Sequence, residues 1–169
     1  MTQYRFLNRL NSLFFISLIT TALLFFSSAL YGQSPVNFSG VWIQDNVKSD
    51  DSYKSFDVKC TITQTPQTIS IIQTFFDKSG AEIVTRESSF TLDGKEKVKK
   101  EEAGINKESA KWSADKKVLT TSSTITNGPD FYGTIVTYSI SDNGLVLTVE
   151  TKDINPMGQT VKQIFNKKQ

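Results

Sequence analysis

The last third of the chain, residues 131–166, alternates apolar and polar side chains with a period of two. That period is typical of a β-strand with one buried face. Turn-forming sequences interrupt the run at residues 141–144 (Ser-Asp-Asn-Gly) and 155–158 (Asn-Pro-Met-Gly). Strands separated by Asn-Gly and Pro/Gly turns are typical of antiparallel hairpins. The segment therefore predicts consecutive hairpin-connected strands, and the same rhythm runs back to Phe38.

The alternating segments predict an all-β domain of about eight to ten strands without a helix. The strongest hairpin signal is Asp93-Gly94, at the end of a long strand. The charged segment 95–111 suits either a short helix or two exposed strands, and Gly104 favours the strands. Because the connections are local turns, we expect an up-and-down meander. Such a meander leaves two bare edges unless its first and last strands meet, so we predict a single antiparallel β-barrel.

Residues 1–32 have the features of a signal peptide. Arg5 and Arg9 precede an apolar run at 13–26, and small residues allow cleavage after Ala29 or Gly32. The alternative is a membrane anchor, but the run is shorter than the roughly 20 residues that span a bilayer. We therefore expect a cleaved signal peptide at 1–32, a barrel domain at 33–169 and secretion to the periplasm or the extracellular space, with no membrane span after cleavage.

Charge and composition exclude several classes of function. The chain has 19 Lys+Arg and 17 Asp+Glu; the leader holds two arginines and no acid, which leaves 17 of each sign. Without the leader, the chain has no excess of positive charge with which to bind nucleic acid. The chain has no histidine and one cysteine, Cys60, so Ser-His and Cys-His catalysis and an intrachain disulfide are excluded. Asp45, Asp50 and Asp51 share a loop, but their spacing does not match a calcium loop. We expect no catalytic residues, cofactor or metal.

The predicted first strand resembles a known family. The sequence 37–42 contains Gly40-x-Trp42 at the start of a meander, and Lys48-Ser49 follows it. A Trp-Ser-x-Asp hairpin sequence begins at Trp112. This pattern resembles the opening of the lipocalins and is most similar to small secreted bacterial lipocalin-like domains. The resemblance implies a barrel around a cavity for a small apolar or amphiphilic ligand.

One feature departs from the lipocalin pattern. Lipocalins typically place an arginine near the last strand, stacked on the opening tryptophan. Here that region offers Lys162, Lys167 and Lys168. Lysine lacks the planar fork with which arginine stacks and forms paired hydrogen bonds. The departure bears on family membership more than on barrel topology.

Arg86 is the only arginine after the leader. It shares strand parity with Phe90 and Leu92, so an unbroken alternation directs it into the barrel. An inward guanidinium above an apolar floor would suit the carboxylate of a fatty-acid-like ligand. The alternative is that Ile83 marks the inward set and a bulge leaves Arg86 in solvent.

Alternation also predicts which apolar residues line the interior. The predicted lining is Val58, Ile62, Ile69, Ile71, Phe75, Phe90, Val136, Tyr138, Leu145, Leu147 and Val149. The candidate ligand-binding residues are Trp42, Ile71, Phe75, Arg86, Phe90, Trp112, Tyr138 and Leu147. Many of these side chains can equally serve as core, since small barrels are filled by their own residues.

Two functions fit these expectations. The first is a secreted, non-catalytic lipocalin-like protein that binds a small hydrophobic or fatty-acid-like ligand inside the barrel. The alternative is an interaction or structural module of the cell envelope, with a filled barrel that acts through its surface and loops.

Overall fold

The computed structural model describes residues 34–155 and 158–169 as one antiparallel sheet. The predicted all-β, up-and-down architecture is confirmed. A 3₁₀ turn, Asp51–Tyr53, lies between the first two strands. The ten strands are β1 Gly40–Gln44, β2 Asp57–Gln64, β3 Thr68–Phe76, β4 Glu82–Thr91, β5 Lys97–Glu101, β6 Gly104–Trp112, β7 Val118–Asn127, β8 Asp130–Ile140, β9 Val146–Asp153 and β10 Thr160–Lys167. The predicted signal peptide at 1–32 lies outside the described residues.

The sheet has the strand order β4-β3-β2-β1-β10-β9-β8-β7-β6-β5. The first and last strands pair, as a barrel requires, with Trp42 opposite Lys167 and Gln44 opposite Phe165. Every other pair of neighbours in the sheet is also consecutive along the chain. The two strands left at the edges are β4 and β5.

The prediction of a closed barrel is wrong, because β4 and β5 do not pair although they follow each other in the chain. The hairpin predicted at Asp93-Gly94 therefore has a turn but no paired strands. The physical reason lies in β5, which is exposed along its whole length. Its Lys97, Lys99 and Glu101 lie opposite Glu108, Asn106 and Gly104 of β6. Charged side chains on that face give no apolar burial to hold β5 against the core.

A single core joins every strand except β5, which shows that the sheet curls around one interior. We call the face that carries these residues the inner face and the opposite face the outer face. Leu119, Leu147 and Phe165 are fully buried within it. Burial of a side chain of this size contributes about 1.5–3 kcal/mol. The buried core residues are Phe38, Trp42, Val58, Cys60, Ile62, Ile69, Ile71, Phe75, Phe90, Ala110, Leu119, Tyr138, Leu147, Val149 and Phe165.

Aromatic side chains fill one end of the curved sheet, which we call the packed end. The Phe38 ring stacks on Trp112 at 5.8 Å between centroids and meets Tyr138 edge-on at 6.3 Å. The Trp42 indole N–H donates to the Phe38 carbonyl over 3.0 Å. The opposite end, which carries the β1–β2 loop and the β3–β4 and β7–β8 turns, we call the mouth. The aromatic side chains therefore fill the inner face at the packed end.

The segment 95–111 forms two strands, β5 and β6, as the sequence favoured. Of these only β5 is exposed throughout, whereas β6 is partly buried and contributes Ala110 to the core. Ion pairs lie between them, from Lys99 to Glu108 at 3.5 Å and from Lys107 to Glu96 at 3.2 Å. These charges keep the edge hydrated, which discourages pairing with other strands. Within the described part of the chain, no helix has the length and apolar character needed to cross a bilayer.

Candidate ligand-binding cleft

Arg86 lies on the inner face of β4. It is opposite Gln73, and the same face of β4 carries Phe90 opposite Ile69. The pairing is irregular only between Phe75 and Phe76. This bulge falls beyond Arg86, toward the start of β4, so it does not move Arg86 to the other face. The structure therefore contains a bulge near β4, but the bulge does not change the face of the sheet on which Arg86 lies.

The Arg86 side chain is nevertheless exposed, because β4 is an edge strand at the mouth. Its guanidinium carbon lies 5.2 Å from the centroid of the Phe75 ring. That distance is within the range of a cation–π interaction. Among the described residues, the guanidinium has no ion pair and no hydrogen bond. Its donors are therefore available to an anion from solution.

Arg86 borders a cleft of about 360 Å³ at the mouth. This volume falls within the usual range for small-molecule sites, roughly 300–1,000 Å³. The walls are mostly apolar, and Arg86 is the one charged residue among them. The cleft is lined by Ser52, Tyr53, Phe56, Phe75, Ile83, Val84, Arg86 and Val161.

The β1–β2 loop forms one wall of the cleft and is held in place by hydrogen bonds to β10. The Ser49 hydroxyl accepts from the Ile164 N–H over 2.9 Å, and the Asp50 carboxylate accepts from the Lys162 N–H over 2.7 Å. The buried Gln163 amide donates to Gln44 over 3.0 Å. Gln44 in turn donates to the Tyr53 carbonyl over 3.1 Å. These contacts fix the position of the β1–β2 loop relative to β10, so this wall of the cleft is formed without a ligand.

Two aromatic residues of that loop shape the cleft. Phe56 meets Phe75 edge-on with centroids 6.4 Å apart. Burial raises the pKa of the Tyr53 phenol above its ordinary value, although the nearby charge of Arg86 lowers it in part. Tyr53 is therefore neutral at neutral pH and keeps a hydroxyl donor beside the guanidinium. A cation, a neutral hydroxyl and apolar walls together suit a molecule with an anionic head and an apolar body.

The structure brings only two of the predicted ligand-binding residues, Phe75 and Arg86, into this cleft. The others lie in the core or at the packed end. Trp42 and Leu147 are fully buried, and Trp112 packs against Phe38. The remaining buried candidates are Ile71, Phe90 and Tyr138.

The predicted interior lining is buried apart from two residues. Val136 is partly buried against the core. Leu145 is 43% exposed and lies in the β8–β9 turn, ahead of β9. The alternation therefore predicts burial correctly as far as Leu147, whereas Leu145 is exposed although its carbonyl accepts from the Lys167 N–H over 2.9 Å.

The opening tryptophan has a cationic neighbour. The Lys167 ammonium lies 5.1 Å from the Trp42 ring centroid, because β1 pairs with β10 at this position. This distance places the ammonium within the range of a cation–π interaction. Gly40 makes room for it, since a Cβ there would lie 3.1 Å from the Lys167 Cε.

Sequence reasoning missed six of the eight lining residues, which are Ser52, Tyr53, Phe56, Ile83, Val84 and Val161. Tyr53 and Phe56 belong to a loop whose sequence is mostly polar. Two aromatic residues in such a loop could have indicated that part of the loop packs against an apolar surface. Val84 and Val161 lie at the mouth ends of their strands. There the alternation of apolar and polar residues predicts the face of the sheet on which a side chain lies, but not how far it is exposed to solvent. Among the described residues, no group of three or more Cys, Asp and Glu side chains is placed to hold a metal ion.

Comparison with known proteins adds no assignment. The chain matches no protein-family model, and no curated protein matches it significantly. The geometry of the cleft is therefore the basis for a function.

Proposed function

We propose that this protein is a secreted, non-catalytic binding protein for a small amphiphilic anion, of which a fatty acid is the simplest example. The observation that carries the proposal is the Arg86 guanidinium, which has no ion pair or hydrogen bond among the described residues. It lies 5.2 Å from the centroid of the Phe75 ring, in a mostly apolar cleft of about 360 Å³. A carboxylate at Arg86 would form charge-assisted hydrogen bonds, and an apolar chain would lie against the walls.

Two further features support a lipocalin-like relationship, which we include in the proposal. One is the ten-stranded meander, in which the first and last strands pair. The other is the cation over the opening tryptophan, Lys167 above Trp42. Both agree with the resemblance of the Gly40-x-Trp42 strand. Secretion rests on the leader sequence at 1–32.

One observation favours the alternative, an envelope module that acts through its surface. The packed end is filled by its own aromatics, and most predicted lining residues are buried core. Under this alternative the cleft would bind no amphiphile. The same binding experiment distinguishes the two functions.

The test is the affinity of residues 33–169 for a fluorescent fatty acid and for the matching fatty alcohol. Arg86→Met should weaken binding of the acid by about 10- to 100-fold, since hydrogen bonds to a charged group contribute about 1.5–3 kcal/mol. Binding of the alcohol should not change, because it places no charge at Arg86.

Lys59→Met is the matched control. The Lys59 ammonium lies 5.7 Å from the Phe76 ring, but on the outer face of the sheet. This variant removes a cation stacked on the neighbouring phenylalanine and should leave both affinities unchanged. No binding of either probe, or equal acid affinities for the Arg86→Met variant and the unmodified protein, would refute the proposed role of Arg86.

A further inference from the structure

The turn between β4 and β5, residues 91–96, shares two side-chain hydrogen bonds and a positive φ with two turns that close complete hairpins, residues 113–118 and 141–146. In all three, the hydroxyl of the first residue donates to the side-chain oxygen of the third. The backbone N–H of the fifth residue donates to that same oxygen. The fourth residue has a positive φ in each, at Gly94 (73°), Lys116 (55°) and Gly144 (72°).

The three turns differ in what the flanking strands do. In the two complete hairpins, the backbone N–H of the first residue donates to the carbonyl of the sixth, from Ser113 to Val118 over 2.8 Å and from Ser141 to Val146 over 2.9 Å. Pairing then continues along both strands. At 91–96 this bond is not formed among the described residues, nor is a bond from the Gly94 N–H to the Thr91 carbonyl like those at Lys116 and Gly144, and β4 and β5 do not pair.

The shared side-chain hydrogen bonds and positive φ indicate which register β4 and β5 would adopt if they paired. If Thr91 pairs with Glu96, as Ser113 pairs with Val118, residues further out pair in order. On the inner face, Ser88 would then lie opposite Lys99, and Arg86 opposite Glu101. On the outer face, Glu87 would lie opposite Lys100.

Faces and charges both agree with this register. The inner face of β4 carries Arg86 and Ser88, and that of β5 carries Lys99 and Glu101. A register one residue away would place inner residues opposite outer ones. The register also puts opposite charges across the strands at Arg86–Glu101 and at Glu87–Lys100, and such pairs stabilise neighbouring strands.

We propose that β4 and β5 also pair in solution in this register, which closes the sheet into a barrel. The protein then has two states, one in which β4 and β5 are unpaired and one in which they are paired. The segment that covers the β4 edge is β5 of the same chain. Closure goes beyond the proposed binding function and requires no ligand. It would engage the Arg86 guanidinium with Glu101, so the closed state leaves fewer donors for an anion in the cleft.

The experiment is a disulfide trap with Ser88→Cys and Lys99→Cys in the chain at micromolar concentration under mild oxidation. This pair is directly opposite in the proposed register, at a position without backbone hydrogen bonds, where side chains approach most closely. Cys60 can stay in place, because it is buried and its pKa is raised to about 12. The matched control is Ser88→Cys with Glu101→Cys, which lies two residues further along the same face of β5.

We expect an intramolecular disulfide to form about tenfold faster in the Ser88–Lys99 pair than in the Ser88–Glu101 pair. Equal rates in the two pairs, or no intramolecular cross-link, would show that β4 and β5 do not pair in this register. A cross-link between two molecules would show that a second copy covers the β4 edge, and would also overturn the proposal.

A charge exchange in the same disulfide trap provides a second measurement, because it tests the register at a different pair of opposite residues. In the trap background, Glu87→Lys should slow the cross-link, because it would face Lys100. The exchange of both charges, Glu87→Lys with Lys100→Glu, should restore the rate. Both residues are exposed, so neither change removes packing from the core. Failure of the double exchange to restore the rate would contradict the register.

Discussion

Trp42→Phe tests the central contact of the packed end. The indole is fully buried, and its N–H donates to the Phe38 carbonyl over 3.0 Å. Phenylalanine keeps an aromatic ring but removes the donor and leaves part of the space empty. A buried carbonyl that loses its partner costs about 1–3 kcal/mol. The void left by the smaller ring adds about 1 kcal/mol. Together the substitution should lower the free energy of unfolding by about 2–4 kcal/mol.

The assay is urea unfolding followed by far-ultraviolet circular dichroism, which does not depend on tryptophan fluorescence. With a urea m-value of about 2 kcal/mol/M, in the middle of the usual range, the midpoint should fall by about 1–2 M. Trp112→Phe is the matched control. Trp112 is only partly buried, and its indole forms no hydrogen bond among the described residues. The same substitution there should cost about 1 kcal/mol or less. Equal midpoint shifts in the two variants would refute the role given to the Trp42 hydrogen bond.

Two further predictions concern alkaline pH and backbone shape. Burial raises the pKa of the Cys60 thiol from 9.0 to about 12, so the unfolded chain ionises first and stability is lost as pH rises through that window. Cys60→Ala should flatten the dependence of the urea midpoint on pH above 9.0, and an unchanged slope would contradict the assignment. Gly104→Ala should destabilise by about 2–4 kcal/mol, because the new Cβ would collide with the Thr126 carbonyl oxygen, whereas Gly80→Ala should cost only about 1 kcal/mol of backbone strain. Thermal unfolding of the two variants compares these costs, and equal losses would show that the collision is relieved.

The inward direction of Arg86 could be predicted from the sequence because strand parity is a local property. From Val84 to Phe90 the alternation is unbroken, and the bulge at Phe75/Phe76 lies outside that stretch. Its neighbours in the cleft could not be predicted. Tyr53 and Phe56 arrive from a loop whose position depends on hydrogen bonds to β10, more than a hundred residues away in the chain.

The sequence by itself determined the strands, their order and the pairing of β1 with β10. Period-two patterning and turn chemistry act between neighbouring residues, and each hairpin then places the next strand beside the last. Only the tertiary structure showed that β4 and β5 can be unpaired, although Asp93-Gly94 between them is the strongest turn signal. A turn sequence shapes the turn itself, whereas pairing of the strands beyond it also depends on burial and charge contributed by distant strands. Because β5 presents Lys97, Lys99 and Glu101 to the inner face, core burial does not hold it against β4.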